Sequence, residues 1–580
     1  MSDEAPREPG EHPKSDAPPS RFVLDPRRKH WPNLVSASGA ERREEMLARA
    51  VELFVEAACN LPLGISTFWW DHPELHAKWK EAAPGRLESA ELIVVDPELW
   101  RFVQRWDFLR KTLLTLSAES PRAMRINDAM RDIARAIPSA DPARGMRAQA
   151  KALDAILRGD TSESVTTCIA VGHAHIDTAW LWPMRETRRK CLRTFASVVR
   201  LIDRFPPFHF ICSQAQQYAW VEEDSPKLFA EIAERVKGGR FEPMGGMWIE
   251  PDATCPSGES FIRQVIHGAG YWTRRFGERG EQRMLYLPDT FGFPPCLPQI
   301  ARLAGLDTFI TNKMSWCESN RFPHVTFRWR GLDGTELLTH LTPGHNYNSS
   351  IEPADFQHGE RNLVTHDGQS FVGRAIPLWL QPYGFGDGGG GPTAEQIERA
   401  SIAFECEGVP KVRQHSVREF CGDLHKAWEG LRRARRDLPC WDGELYLELH
   451  RGTYTSQAWI KRQNRFAESL LRDVEALGCS LPKSGDRDRA ELREGLDPLW
   501  KLVLLNQFHD ILPGSSITPV YDDARRDHLH VAEVAGAARG ELLAAIGAAC
   551  DTTECESPVL VRNPASTDRG GVIDTVAALP

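Results

Sequence analysis

The chain has thirteen cysteines but no pair at CxxC spacing, and an odd, scattered set argues against both a disulfide framework and a cysteine zinc site. Reduced thiols in an intracellular compartment are the simpler expectation. No apolar run approaches the ~18 residues that a membrane span needs, and the stretch Met1-Ser-Asp-Glu-Ala-Pro-Arg-Glu-Pro-Gly10 lacks the basic and apolar segments of a signal peptide. A cytoplasmic location is expected, with no membrane partner. An excess of basic charge is lacking as well: a net charge of -9 over 580 residues gives no footprint for nucleic acid and no polybasic segment for anionic lipid.

What is present describes a globular protein, 41% hydrophobic and 26% charged, too long for one core and expected to hold three or four domains. Residues 1–20, rich in Pro, Asp, Glu and Ser, read as a disordered arm. Residues 21–160 read as a helical region, with helices over 42–58, 97–116, 121–136 and 146–157; Trp69, Trp70, Trp79, Trp100 and Trp106 fall here, mostly as core. Residues 161–440 switch period, and short β-rich runs alternate with amphipathic helices. Strands are predicted over 166–171, 208–212, 241–250, 284–287 and 308–311, and helices over 186–205, 226–237, 260–276 and 297–304. Repeated β-α-β units predict a multidomain α/β protein whose core is a mostly parallel sheet or a distorted barrel. Residues 441–550 read as a helical bundle, with a charged connection at 483–494, and 551–580 begin a β-rich domain with one strand near Val559 to Val561.

The stretch Val171-Gly-His-Ala-His-Ile-Asp-Thr-Ala-Trp-Leu-Trp-Pro183 carries the first chemistry. In an extended strand alternate side chains share a face, so His173, His175 and Asp177 are expected to converge at the carboxyl end of a strand. Imidazole and carboxylate together are the ligand set of a divalent transition metal, although a polar strand end whose histidines bond to their neighbours has the same spacing. Trp180 and Trp182 just beyond offer an aromatic face for a sugar ring, or ordinary core packing. With His175 and Asp177, Asp252, ending Gly245-Gly-Met-Trp-Ile-Glu-Pro-Asp252, and His509, in Asn506-Gln-Phe-His-Asp510, would complete four mixed N and O ligands, but spacing alone does not bring them together. The glycine run Gly384-Phe-Gly-Asp-Gly-Gly-Gly-Gly-Pro392 is no phosphate loop, since no Gly-Lys-Ser/Thr ends it; Asp387 inside it marks a site loop, and Thr393-Ala-Glu-Gln396 behind it is a capping box.

These segments, with Leu287-Pro-Asp-Thr-Phe-Gly292 and Glu448-Leu-His-Arg-Gly-Thr-Tyr-Thr-Ser456, resemble in order the motif series of glycoside hydrolase family 38, in particular its cytosolic and bacterial class II α-mannosidases. The resemblance implies one zinc, or cobalt, held by His175, Asp177, Asp252 and His509. It implies Asp252 as a nucleophile that forms a covalent mannosyl-enzyme resolved with retention. Trp180, Asp510, Asp289 and Tyr454 are the substrate-binding residues it suggests, on mannose-terminated oligosaccharides.

Two departures stand out. Where relatives show Pro-x-Asp-x-Tyr with a general acid/base aspartate, this chain reads Thr342-Pro-Gly-His-Asn-Tyr-Asn348, which puts His345 at that position and leaves Asp387 and Asp289 as fallback acids. Relatives also continue into a large C-terminal β-rich region, so a homo-oligomer or a partner chain replacing it is expected. Two other functions fit parts of the pattern. One is a metal-dependent amidohydrolase or polysaccharide deacetylase built on His173, His175 and Asp177. The other is an inactive, metal-dependent sugar-binding remnant.

Overall fold

The computed structural model describes residues 96–158, 166–365, 376–481, 486–554, 558–563 and 570. The arm expected at 1–20, the helix expected at 42–58 and Trp69, Trp70 and Trp79 lie outside the described residues. The chain divides into two compact units, Met1–Trp106 with Ala129–Asp154 and Asp107–Asp128 with Ala155–Pro580. Helices α1 (Pro97–Thr115) and α2 (Pro121–Ala136) form where the periodicity predicts them, and α3 (Pro142–Leu157) starts one turn before the expected 146. Within the first unit Asp96 starts α1 by accepting from the N–H groups of Glu98 and Leu99 at 2.9 and 3.1 Å.

The second unit carries the sheets. Strand β1 (Thr167–His173) is buried almost throughout, as a parallel strand covered on both faces must be. After α4 (Met184–Arg204) come β2 (Phe210–Cys212), α5 (Ala215–Asp224), α6 (Pro226–Lys237) and β3 (Phe241–Pro243), then α7 (Gly258–Phe276) and β4 (Met284–Tyr286). Helix α4 buries Cys191, Phe195, Val198, Val199 and Ile202, a stripe at helical spacing. The chain continues through α8 (Leu297–Leu303), β5 (Thr308–Thr311), the hairpin β6 (Thr326–Arg330) and β7 (Glu336–Leu341), α9 (Pro353–Thr365) and β8 (Leu378–Tyr383). Next are α10 (Ala394–Glu405), β9 (Lys411–Gln414), α11 (Val417–Arg433) and β10 (Cys440–Asp442). The capping box expected at Thr393 forms in full: its hydroxyl accepts from the Gln396 N–H and the Gln396 amide oxygen accepts from the Thr393 N–H.

These strands make two five-stranded sheets, and the described residues show a mixed α/β core with no continuous barrel ladder. In the first sheet the path β3-β2-β1-β8 is parallel, and β9 also pairs with β1 at Thr167–Ala170. In the second, β10-β6-β7-β5-β4, only the β6–β7 hairpin is antiparallel. Helices α12 (Ala458–Cys479), α13 (Asp486–Asn506) and α14 (Thr518–Ala548) follow, packed through Leu470, Leu471, Val474, Trp500, Val503 and Val531.

Three expectations need correction. The strand expected over 241–250 ends at Pro243, because Gly245 and Gly246 at φ 104° and 76° turn the chain out of the sheet, into positions a side chain would strain. Residues 486–494 of the expected charged connection are the start of α13, with Pro498 inside that helix, and Glu491, Arg493 and Glu494 stand exposed on its wet face. Val559, Leu560 and Val561 form no strand ladder and stand about half exposed, since no partner strand meets them among the described residues.

Candidate metal and active site

Beyond the last residue of β1 the chain runs on through Ala174-His-Ile-Asp177, and beyond β4 through Leu287-Pro-Asp289, so two carboxyl strand ends from different sheets deliver side chains to one place. The turn after α13 delivers a third group, held by antiparallel pairing of Phe508 with Pro251. Four buried residues meet there, His175, Asp177, Asp289 and His509, with one ligand atom of each within 4.8 Å of the others. His175 Nε2 lies 3.0 Å from Asp177 Oδ1 and 3.9 Å from Asp289 Oδ2. His509 Nε2 lies 3.5 Å from Asp177 Oδ1 and 3.6 Å from Asp289 Oδ2.

The two imidazoles are oriented from behind by one residue. His509 Nδ1–H donates to the main-chain oxygen of Glu250 at 2.9 Å, which leaves its Nε2 lone pair facing the carboxylates. The Glu250 side chain reaches the other ring: Oε2 lies 3.2 Å from His175 Nδ1, an ion-pair approach whose angle falls short of a hydrogen bond. Its Oε1 accepts from the Ser213 hydroxyl. Glu250 carried no sequence expectation, yet its signal was there, two residues before Asp252 in a segment already singled out.

The donor set fits a divalent transition cation. His509 Nε2 is buried with no hydrogen-bond partner while aimed at two carboxylates, an arrangement that a cation satisfies and a bare protein does not. Burial alone would depress the His175 imidazole, but the carboxylates of Glu250 and Asp177 hold it well above its ordinary value. Burial, and then the charge of Asp177, push Asp510 up to about 7. Both directions are those of a buried pocket dense in carboxylates.

Not every expected residue joins the cluster. His173 stays out: its Nδ1 is 3.2 Å from the Tyr347 carbonyl and its Nε2 is 3.4 Å from the Tyr286 hydroxyl. Strict alternation does not survive past residue 173, where β1 ends. Asp252 lies beside the cluster, its N–H donating to Gln507 O at 2.7 Å, and its carboxylate accepts from Thr254 N–H, the Thr254 hydroxyl and Cys255 N–H at 3.3, 3.0 and 3.0 Å. The fourth place in the group belongs to Asp289, for which sequence reasoning had a sugar contact or a fallback acid in mind. Asp289 Oδ1 is taken by the buried Lys313 ammonium.

His345 adopts a left-handed φ of 57°, and its ring packs on His358 at 5.2 Å and 89°. Asp387 sits closer to the cluster: its carbonyl accepts from the Asp177 N–H at 2.8 Å and its Oδ1 accepts from the Tyr347 hydroxyl at 3.1 Å. Burial, and then Asp177, raise the Asp387 carboxyl above the usual range. The glycines around it allow this approach; at Gly384, with φ 132°, a Cβ would meet the His173 carbonyl at 2.3 Å. Trp180 and Trp182 pack edge to face at 5.9 Å, both half-buried. Tyr454 closes a 3₁₀ turn and lines a cavity of about 310 Å³ with Thr254, Pro294, Pro295 and Glu444.

Comparison with known proteins gives this geometry its context. Residues 165–444 match the glycosyl hydrolases family 38 N-terminal domain, and residues 448–546 match the alpha mannosidase middle domain. The chain is 43% identical over 372 residues to alpha-mannosidase G of Dictyostelium discoideum, covering 64% of this chain and 32% of that protein. It is 37% identical over 486 residues to human alpha-mannosidase 2C1, covering 83% of this chain and 44% of the relative. Among solved structures, an alpha-mannosidase from Enterococcus faecalis V583 superposes with a TM-score of 0.55 at 20% identity, over 67% of this chain and 43% of the other. The chain thus spans less than half the length of these relatives.

Proposed function

Because the chain belongs to glycoside hydrolase family 38, carrying its N-terminal and middle domains, we propose that it is a metal-dependent retaining α-mannosidase acting on terminal mannosyl residues of oligosaccharides. The observation that carries this reading is the buried His175, Asp177, Asp289 and His509 cluster with its orphaned imidazole nitrogen. His175, Asp177 and His509 would hold the cation, zinc or cobalt, with Asp289 as the fourth donor in the arrangement seen and Asp252 as the donor that the family resemblance implies. A bound divalent cation would supply Lewis acidity toward neighbouring sugar hydroxyls.

The protein's own groups divide the remaining work. Asp252 is the nucleophile: three donors from Thr254 and Cys255 hold its carboxylate, and one of its oxygens attacks the anomeric carbon as the glycosidic bond breaks. Asp387 is the acid that gives its proton to the leaving oxygen, since burial already keeps that carboxyl protonated to higher pH, and it then accepts a proton from the incoming water. His345, whose ring is engaged with His358, is the weaker candidate for that role. Asp510 and Trp180 bind the sugar, one through its hydroxyls and one through its apolar face. The cytosol is the compartment we infer, from the resemblance of the motif series to the cytosolic class II α-mannosidases; no helix among the described residues is long and apolar enough to cross a membrane.

Chelator treatment of the purified chain should abolish mannose release from an aryl α-mannoside, and zinc or cobalt should restore it. Asp252→Ala should lower kcat by roughly 10⁴-fold or more, as loss of a covalent nucleophile does, with the melting temperature nearly unchanged. Activity that survives both treatments removes the proposal.

A further inference from the structure

Trp316 is a large aromatic side chain that the fold leaves 40% exposed, and it is not loosely placed. It ends the 3₁₀ turn Lys313–Trp316, and the Lys313 ammonium lies over its ring at 3.8 Å. That same ammonium binds Oδ1 of Asp289, so one charged group ties the indole to the metal-type cluster. A second connection runs through rings: His509 to Phe291 at 5.7 Å, Phe291 to His450 at 4.6 Å, and His450 to Trp316 at 6.5 Å. An unbroken aromatic wall therefore leads from the buried cluster to the surface and ends in an exposed indole.

We propose that Trp316 is the platform for the sugar ring on the leaving-group side of the scissile bond, a neutral pyranose whose C–H face lies on the indole. This rests on the mannosidase reading of the cluster and extends it from the mannose that is cleaved to the residue next to it. The occupant is neutral because the ammonium beside the indole, Lys313, is already paired with Asp289. The occupant is a ring because the site offers a flat apolar surface fixed in advance by Lys313, so little side-chain freedom is lost on binding. Trp316 is a specificity-determining residue and not a catalytic one.

Calorimetry on the 580-residue chain separates the two sugar positions, using thio-linked α-mannobiose, which spans both and resists hydrolysis, and methyl α-mannoside, which fills only the first. Trp316→Ala should weaken thiomannobiose binding roughly tenfold more than methyl α-mannoside binding, and Trp316→Phe should recover most of that difference. In kinetics, the ratio of kcat/KM for α-mannobiose to that for α-mannosyl fluoride, whose leaving group occupies no sugar site, should fall by a similar factor. Equal weakening of both ligands, no weakening of either, or wild-type binding of thiomannobiose no tighter than of methyl α-mannoside would each overturn the platform. If the wild-type chain shows the expected binding difference but releases no mannose from either substrate, the hydrolase reading fails and the platform stands.

Discussion

Glu250 shows how much of a metal-type site is decided one step behind the ligands. Its main-chain oxygen fixes the tautomer of His509, and its carboxylate stands 3.2 Å behind His175. Removing the side-chain charge should leave both imidazoles in place and loosen one. Glu250→Gln is expected to lower zinc affinity by about 10–100-fold, the usual effect of losing such a partner, measured by competition with a chromogenic chelator. Far-UV circular dichroism should be unchanged, and a variant that binds zinc as tightly as the wild type would show that Glu250 does not orient the ligand. At this scale the sequence was informative about three of the four clustered residues, His175, Asp177 and His509. Asp289 differs because Lys313 and two sheets together decide which carboxylate turns inward, and no local pattern records that.

At the scale of elements, the loop that carries Glu250 and Asp252 is pressed against α7 at one point. A Cβ on Gly268 would lie 2.2 Å from the main-chain carbon of Met247 and 2.5 Å from the nitrogen of Trp248, so helix and loop touch backbone to backbone. Gly268→Ala must push the loop away. The expected cost is roughly 1–3 kcal/mol of stability, together with a disproportionate loss of metal affinity, both readable by chemical denaturation and chelator competition. An unchanged midpoint would show that the close approach is not maintained in solution. Helix existence was legible here from period and punctuation: α6 begins at Pro226 and stops at Gly238, and α10 opens on its capping box. Helix α13 was less so, because a run of Asp, Arg and Glu reads equally as a loop or as the wet face of a helix, and Pro498 as a start or an interior residue.

For the whole molecule, buried histidines make stability depend on pH. His528 lies on the inward stripe of α14 with Ala524, Val531 and Ala535, buried, with neither ring nitrogen bonded, and burial lowers its pKa to about 4. His340, buried in β7, is lowered to about 3 by the same desolvation. Both are neutral in the folded protein, whereas in the unfolded chain they titrate near ~6.5. Between those values the unfolded state binds more protons, so stability falls as pH drops from about 6.5 toward 4. His528→Leu should raise stability by about 1–3 kcal/mol at pH 7, since it removes an unsatisfied polar group, and by more at pH 5. Thermal melts of both chains across this range test the point, and parallel pH profiles would refute the role of His528.

The sequence by itself determined the alternation of strands and helices, the helical C-terminal part and the order of the motif segments, because these follow from local periodicity and from the chemistry of single side chains. Only the tertiary structure decided that Asp289 shares the cluster, that His173 does not, and that Glu250 stands behind both imidazoles. Each of those outcomes depends on loops that leave parallel strands of two separate sheets, and the direction a side chain takes past the end of a strand is set by what it meets there.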